Sequence, residues 1–105
     1  MTTDIKQRDS ALQRANEARA EMYLLKTRIH DAGRVDGAAL AAAVVLDGRT
    51  AMRFEPLLLA VLGVGKLHAA QMLGRAHINP TYRVDSRMVD RRRRMLLVDE
   101  LLGLS

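Results

Sequence analysis

The sequence contains no cysteine and no tryptophan, and aromatic residues make up only 3% of its 105 residues. The absence of cysteine excludes a disulfide framework and a thiolate metal site, and it is typical of a protein that works in a reducing compartment. With so few aromatic rings, the core must be built from Leu, Val, Ile, Met and Ala. The abundance of Ala, Leu and Arg favours helices over sheets. We therefore predict an all-α fold.

Long hydrophobic runs are also absent, although hydrophobic residues make up 49% of the chain. No apolar stretch approaches the roughly 18 residues that a membrane-spanning helix needs. The first ten residues, MTTDIKQRDS, are polar and lack the apolar centre of a signal peptide. We expect a cytoplasmic protein that forms a single domain over residues 1–105 and has no membrane partner.

Acidic residues are scarce relative to basic ones. The formal net charge is +5, the pI is about 10.4, and arginine accounts for most of the basic residues. The excess is concentrated in residues 74–94, where seven arginines stand against Asp85 and Asp90. This balance indicates a polyanionic partner, most often nucleic acid. The alternative is that the many arginines and alanines reflect a GC-rich genome.

Apolar residues recur every three or four positions over residues 5–32, which predicts one long helix. The stripe consists of Ala11, Ala15, Ala18, Met22, Leu25, Ile29 and Ala32. Gly33 is expected to end the helix as a left-handed cap. Because alanine buries little area, we expect residues 1–32 to project in part from a helical DNA-binding core over residues 36–105. The half after Glu21 should dock on that core.

Four shorter helices are predicted in the core from capping and turn residues. They cover residues 37–46, 55–62, 66–76 and 87–102. Asp36 is the expected N-cap of the first, and Asp47 and Gly48 form the turn that closes it. Asp85 or Ser86 is the expected N-cap of the last. On that last helix, Met88, Met95 and Leu102 are predicted to face the core.

Two glycines interrupt the most apolar stretch of the sequence, LLLAVLGVGKLHAAQML. The pattern predicts two helices joined by a tight turn whose valine enters the core. The second helix then begins with free N–H groups beside a lysine, where a phosphate can approach closely. The predicted DNA-binding residues here are Gly63, Val64, Gly65, Lys66, Leu67 and His68. A tight turn that binds no ligand is the alternative.

Four segments carry a resemblance to a known family. In order they are LKTRI, MRF, PLLLAVLGVGKLHAAQML and INPTYR. Together they resemble the actinobacterial integration host factors, which are small helical nucleoid-associated proteins. The sequence departs from that family at Leu62 and Gly63, where the family has Pro-Lys. It departs again in VDSRMVD, which brings two acids into a loop that is basic and glycine-rich in the family. We therefore expect a divergent or phage-borne member.

The resemblance implies a helix–two-turns–helix element that binds double-stranded DNA with little sequence preference. It also implies bending or compaction of that DNA in support of site-specific recombination. The implied partners are double-stranded DNA and a recombinase or integrase on the same DNA, and the implied location is the bacterial nucleoid. We expect a monomer. There are two alternatives. The partner is structured RNA, or the protein is a scaffold whose alanine-striped helix forms a coiled coil with a partner helix.

Other basic residues are predicted to extend the positive surface. They are Arg53, Arg83, Arg87 and Arg93, and Lys26 and Arg28 form a candidate second DNA surface on the long helix. The run RRRR at residues 91–94 cannot face one duplex, because successive helical residues point about 100° apart. We expect Arg93 to be exposed and Arg94 to lie on a flank. A solvated helix face with ion pairs to Asp90 or Asp99 is the alternative for this run.

Catalysis finds little support in the sequence. His30, His68 and His77 have no cysteine or carboxylate partner at the spacing of a metal site, and no Ser-His-Asp or Cys-His arrangement is evident. Asp85 is the one nearby acid that could serve a helix–hairpin–helix glycosylase, but the chain is too short to form a base pocket. We predict a non-enzymatic protein with no cofactor, no catalytic residue and no metal site.

Overall fold

The computed structural model describes the backbone of residues 2–104 and the side chains from Ser10 to Leu104. These residues form five α-helices, which confirms the predicted all-α class. The helices are α1 (Thr2–Asp31), α2 (Arg34–Asp47), α3 (Phe54–Leu59), α4 (Lys66–Arg75) and α5 (Arg91–Leu102). Small residues of α2 pack against both α1 and α5, and the α3–α4 pair completes a core made of aliphatic side chains, alanines and one phenylalanine.

The long first helix contacts the core through its C-terminal third. Side chains of residues 10–20 are exposed or half-buried, whereas Met22 and Leu25 pack against the core and Ile29 is fully buried. Gly37 of α2 lies where the two backbones approach most closely, since a Cβ on this glycine would overlap the carbonyl oxygen of Ile29. The absence of a side chain at Gly37 therefore lets α2 cross directly under the end of α1.

The start of α2 differs from the prediction. The helix begins at Arg34, and Gly33, with a φ of +89°, is its N-cap. Asp36 is therefore not the N-cap but lies in the first turn, because the glycine reverses the chain and lets the next helix begin at once. A carboxylate in this turn still faces the positive end of the helix dipole. The predicted closure is confirmed, because α2 ends at Asp47 and Gly48 adopts the left-handed conformation.

The α3–α4 pair matches the prediction at α4 and differs at α3. Helix α4 spans Lys66–Arg75, close to the predicted residues 66–76. Helix α3 begins at Phe54, one residue before the predicted start, and ends at Leu59 rather than at residue 62. It ends early because residues 60–65, which we call the glycine turn, form two tight turns that bury Val61 and Val64.

The predicted start and inner face of α5 are wrong. The N-cap is Asp90, whose carboxylate accepts the Arg93 N–H at 2.9 Å, rather than Asp85 or Ser86. Instead of facing the core, Met88, Met95 and Leu102 are 67%, 39% and 57% exposed. The inward residues are Leu97, Val98 and Leu101. Arg94 begins this stripe at the preceding turn, so its side chain takes the position that an apolar residue would otherwise occupy.

Arg94 hydrogen-bonds four backbone carbonyl groups, one in α2 and three in the loop before α5. Its Nη1 donates to the carbonyls of Val84 at 2.6 Å and Val45 at 3.1 Å. Its Nη2 donates to Ser86 at 2.9 Å, and its Nε donates to Val89 at 3.2 Å. The guanidinium also lies 5.9 Å from the centre of the Phe54 ring, within cation–π distance. This half-buried arginine therefore joins α2, the loop before α5, and α5 itself.

Arg94→Lys tests this structural role. An ammonium group has no planar fork and cannot reach all four carbonyls, so buried acceptors lose their donors. We expect the free energy of unfolding to fall by about 2 kcal/mol or more, as measured by urea denaturation. Arg91→Lys is the matched control on an exposed position of the same helix, and it should change stability by less than about 0.5 kcal/mol. Equal stability of the two variants would contradict the role of Arg94.

Candidate nucleic-acid interface

The glycine turn has the buried valine that the sequence predicts. Val64 is 7% exposed, and its N–H donates to the carbonyl of Val61 at 3.1 Å. Gly63 has a φ of +87°, a backbone conformation that favours glycine strongly. Gly65 has a φ of −93° and a ψ of 177°, which is extended backbone open to any residue. The positive φ that makes glycine necessary in this turn therefore occurs at Gly63 and not at Gly65.

Gly65 is the N-cap of α4, a position that accepts glycine well, but nothing in its surroundings excludes a side chain. A Cβ built there would meet no heavy atom within 4 Å, so the position faces open space. The glycine leaves the backbone accessible from outside at the residue that precedes α4. A phosphate group could approach the chain here more closely than at a residue with a side chain.

The first turn of α4 presents free N–H groups at this opening. The first hydrogen bond of the helix runs from the N–H of Ala69 to the carbonyl of Gly65 at 2.9 Å. The amides of Lys66, Leu67 and His68 precede it, and no side chain caps them. The first turn holds no acidic residue. The positive end of the helix dipole and the exposed Lys66 therefore act together on any anion at this site.

A second basic side chain reaches the glycine turn from α2. The Nη1 of Arg34 lies 3.6 Å from the position of a Cβ on Gly63, and its Nε donates to the carbonyl of Leu104 at 3.0 Å. Sequence reasoning missed this residue because it placed Arg34 in the loop between two helices. Nothing local in the sequence links α2 to a turn about thirty residues away. Arg34, fixed by its hydrogen bond to Leu104, adds a second positive charge to that of the exposed Lys66.

Arg53 and Arg83 lie opposite each other across an isolated antiparallel bridge. Hydrogen bonds flank the pair, from Phe54 N–H to the Tyr82 carbonyl at 3.1 Å and from Val84 N–H to the Met52 carbonyl at 2.8 Å. This pattern places the two arginines in a close, non-hydrogen-bonded pair, whose side chains leave the same face. The structure therefore brings two of the predicted DNA-binding arginines together.

An acid offsets part of that charge. The guanidinium of Arg83 makes two hydrogen bonds to the carboxylate of Asp85, from Nε at 2.9 Å and from Nη2 at 2.6 Å. Asp85 is one of the two acids by which this loop departs from the resembled family. Arg53 and Arg87 are exposed and have no ion-pair partner among the residues that the structure describes. The uncompensated charge of this region therefore lies on Arg53 and Arg87.

The remaining predicted residues lie in separate places. Arg93 is exposed at the start of α5, as expected, and its Nη1 lies 3.4 Å from the carbonyl of Met88. Arg94 was expected on a flank of the helix and instead joins backbone segments, because its guanidinium finds four carbonyl acceptors. Arg28 is exposed on α1. Lys26 lines a largely apolar groove between α1 and the end of α3, with Pro56 and Leu59 on the opposite wall.

Among the described residues, no group of three histidine, aspartate or glutamate side chains is placed to hold a metal ion. None of the described helices is both long enough and apolar enough to cross a membrane. No family model, curated protein or solved structure matches the chain. The resemblance to the actinobacterial integration host factors therefore stays a prediction.

Paired alanine substitutions test the different roles of the two glycines. Gly63→Ala forces a side chain into positive φ and should lower the free energy of unfolding by about 1–2 kcal/mol. Gly65→Ala fits the observed backbone, and its restriction of the unfolded chain offsets the loss of a favourable N-cap residue, so stability should change by less than about 0.5 kcal/mol. Thermal and urea denaturation of both variants provide the measurement. A loss at residue 65 equal to that at residue 63 would contradict the extended conformation of Gly65.

Proposed function

We propose that this chain is a non-enzymatic protein that binds the phosphate backbone of double-stranded DNA through the glycine turn and the start of α4. The observation that carries the proposal is the combination at residues 65–68. A glycine that the fold does not require opens access to three uncapped amides, and an exposed lysine stands beside them. Such a site suits a phosphodiester and carries no information about bases, so binding should depend little on sequence.

The surrounding charge supports an extended polyanion over a single small anion. Arg34 reaches the turn from α2, and Arg53 and Arg83 emerge together from the bridge. With Arg87 they give a set of contacts that a duplex, with its regularly spaced phosphates, can engage in succession. The net charge of +5 favours association with any nucleic acid.

An exposed leucine at the turn supports a role in DNA bending. Leu67 stands next to Lys66 at the start of α4, and its side chain is 75% exposed. Apolar side chains beside phosphate-binding groups contact deoxyribose, or wedge between base steps and kink the duplex. Leu67 is the residue we assign to this contact, and the bend it produces would serve compaction of DNA.

The family resemblance gives this proposal its biological setting. We infer a divergent or phage-borne relative of the actinobacterial integration host factors that acts as a monomer in the nucleoid. Its expected task is to shape DNA for a recombinase or integrase bound nearby. Asp85, which neutralises Arg83, makes the bridge region less basic than in that family, so the glycine turn carries a larger share of the binding.

Lys66→Ala, measured by fluorescence anisotropy with unrelated duplexes at several salt concentrations, tests the proposed site. For the unsubstituted protein, neutralisation by about 4–6 side chains predicts a slope of log K against log salt near −4 to −5. The variant should bind about 1 kcal/mol more weakly and lose about one unit of that slope. Affinities for unrelated sequences should agree within about tenfold.

The control is Arg19→Ala, which removes the same charge from the exposed half of α1. It should affect binding clearly less than Lys66→Ala, because it lies outside the proposed interface. Equal effects of the two variants would mean that binding depends on net charge alone and not on the proposed site. Competition by an RNA duplex of the same sequence tests RNA as the alternative partner. Stronger binding to RNA than to DNA would overturn the assignment to DNA.

A further inference from the structure

A second concentration of positive charge lies in a cleft between the end of α4 and the start of α5. The cleft has a volume of about 530 Å³. It is lined by Arg75, His77, Asp90, Arg92, Arg93 and Leu96, and we call it the arginine cleft. Three arginines and a histidine therefore share a polar cavity with a single carboxylate. None of the residues of the glycine turn belongs to it.

The acids near this cleft are already engaged. The carboxylate of Asp90 accepts the backbone N–H of Arg93 at 2.9 Å, and that of Glu100 accepts Arg75 Nη1 at 2.8 Å. Arg92 makes no ion pair with any residue that the structure describes. The donors of Arg92 therefore remain available for an anion, and Arg93 is tied only by a long bond of 3.4 Å to a backbone carbonyl.

His77 stands at a position where glycine is more favourable. It has a φ of +57°, the one positive value among the described residues other than glycine. Its N–H donates to the Gly74 carbonyl at 3.2 Å, and the next N–H, of Ile78, donates to Leu73 at 2.9 Å. This is a Schellman motif, whose left-handed residue is usually glycine. A non-glycine residue here carries a backbone cost, and its imidazole lines the arginine cleft.

We propose that the arginine cleft binds a phosphate-bearing anion. The planar guanidinium groups of Arg92 and Arg93 can each donate two N–H groups to phosphate oxygens, and the ring of His77 adds a further donor. Arg75 is paired with Glu100, so the anion would be held by Arg92, Arg93 and His77. The anion is either a phosphodiester of bound DNA or a free oligophosphate. A phosphodiester as the source of the anion rests on the proposed DNA binding, whereas the existence of the site does not depend on that proposal.

The test uses neighbouring arginines of one helix. Arg92→Gln and Arg91→Gln remove the same charge, but Arg92 lines the cleft and Arg91 does not. Binding of inorganic tripolyphosphate is measured by calorimetry, and binding of duplex DNA by anisotropy, on the full chain. Arg92→Gln should weaken tripolyphosphate binding by about fivefold or more, as expected for loss of a charge-assisted contact, while Arg91→Gln stays within about twofold.

His77→Gly supplies a second readout that a purely structural residue would not give. It relieves the left-handed strain, so its thermal midpoint should rise, and yet its affinity for tripolyphosphate should fall by about twofold to fivefold. A more stable protein that binds the anion more weakly would show that His77 contacts the anion. A more stable protein with unchanged affinity would remove His77 from the site.

The DNA measurements distinguish the two sources of the anion. If Arg92→Gln weakens duplex binding more than Arg91→Gln does, the cleft holds a phosphodiester. If tripolyphosphate binding alone is weakened, the cleft holds a free oligophosphate, and the site stands even when Lys66→Ala leaves DNA binding unchanged. Two results would overturn anion binding at the arginine cleft: equal effects of Arg91→Gln and Arg92→Gln on both ligands, or no tripolyphosphate binding by the unsubstituted protein. Neither result would contradict DNA binding at the glycine turn.

Discussion

One arginine side chain fastens the loop before α5 to the packed pair of helices α2 and α5. Arg94 donates to one carbonyl group of α2 and to three carbonyl groups of the loop before α5, and it lies over the ring of Phe54 at the start of α3. The carbonyl of Val45 belongs to the last turn of α2, whose dipole favours a cation. In a core with few aromatic rings, a bound guanidinium supplies the cross-link that a larger apolar side chain would otherwise provide.

This cross-link also fixes where the exposed positive charge lies. Because Arg94 turns inward, Arg92 and Arg93 face the arginine cleft and Arg91 faces solvent. The Val84 carbonyl that Arg94 holds belongs to the segment paired with Met52, so the same arginine steadies the bridge that carries Arg53 and Arg83. A single half-buried charge is thereby linked to the positions of the surface charges around it. The glycine turn is positioned separately, by the burial of Val61 and Val64.

The features that the sequence could predict are those encoded locally. Gly48 closes α2, and Gly65 precedes α4, because cap residues act within one turn of themselves. The inner face of α5 was mispredicted because periodicity favours methionine over arginine for a core. One acceptor of Arg94, the Val45 carbonyl, lies 49 residues away, and the three nearer acceptors belong to an irregular loop that periodicity does not describe. The Arg53–Arg83 pairing and the reach of Arg34 to Gly63 are also long-range. The DNA-binding role of the predicted residues remains a proposal that rests on local geometry and charge.

The most direct test of the central claim is a nitrogen–proton NMR titration of the full chain with a short duplex of arbitrary sequence. The amides of Gly65, Lys66, Leu67 and His68 are predicted to show the largest shifts, because the phosphate would accept hydrogen bonds from this uncapped end of α4. A second duplex of unrelated sequence should shift the same four amides. Unchanged resonances at residues 65–68, with shifts concentrated elsewhere on the molecule, would contradict the account.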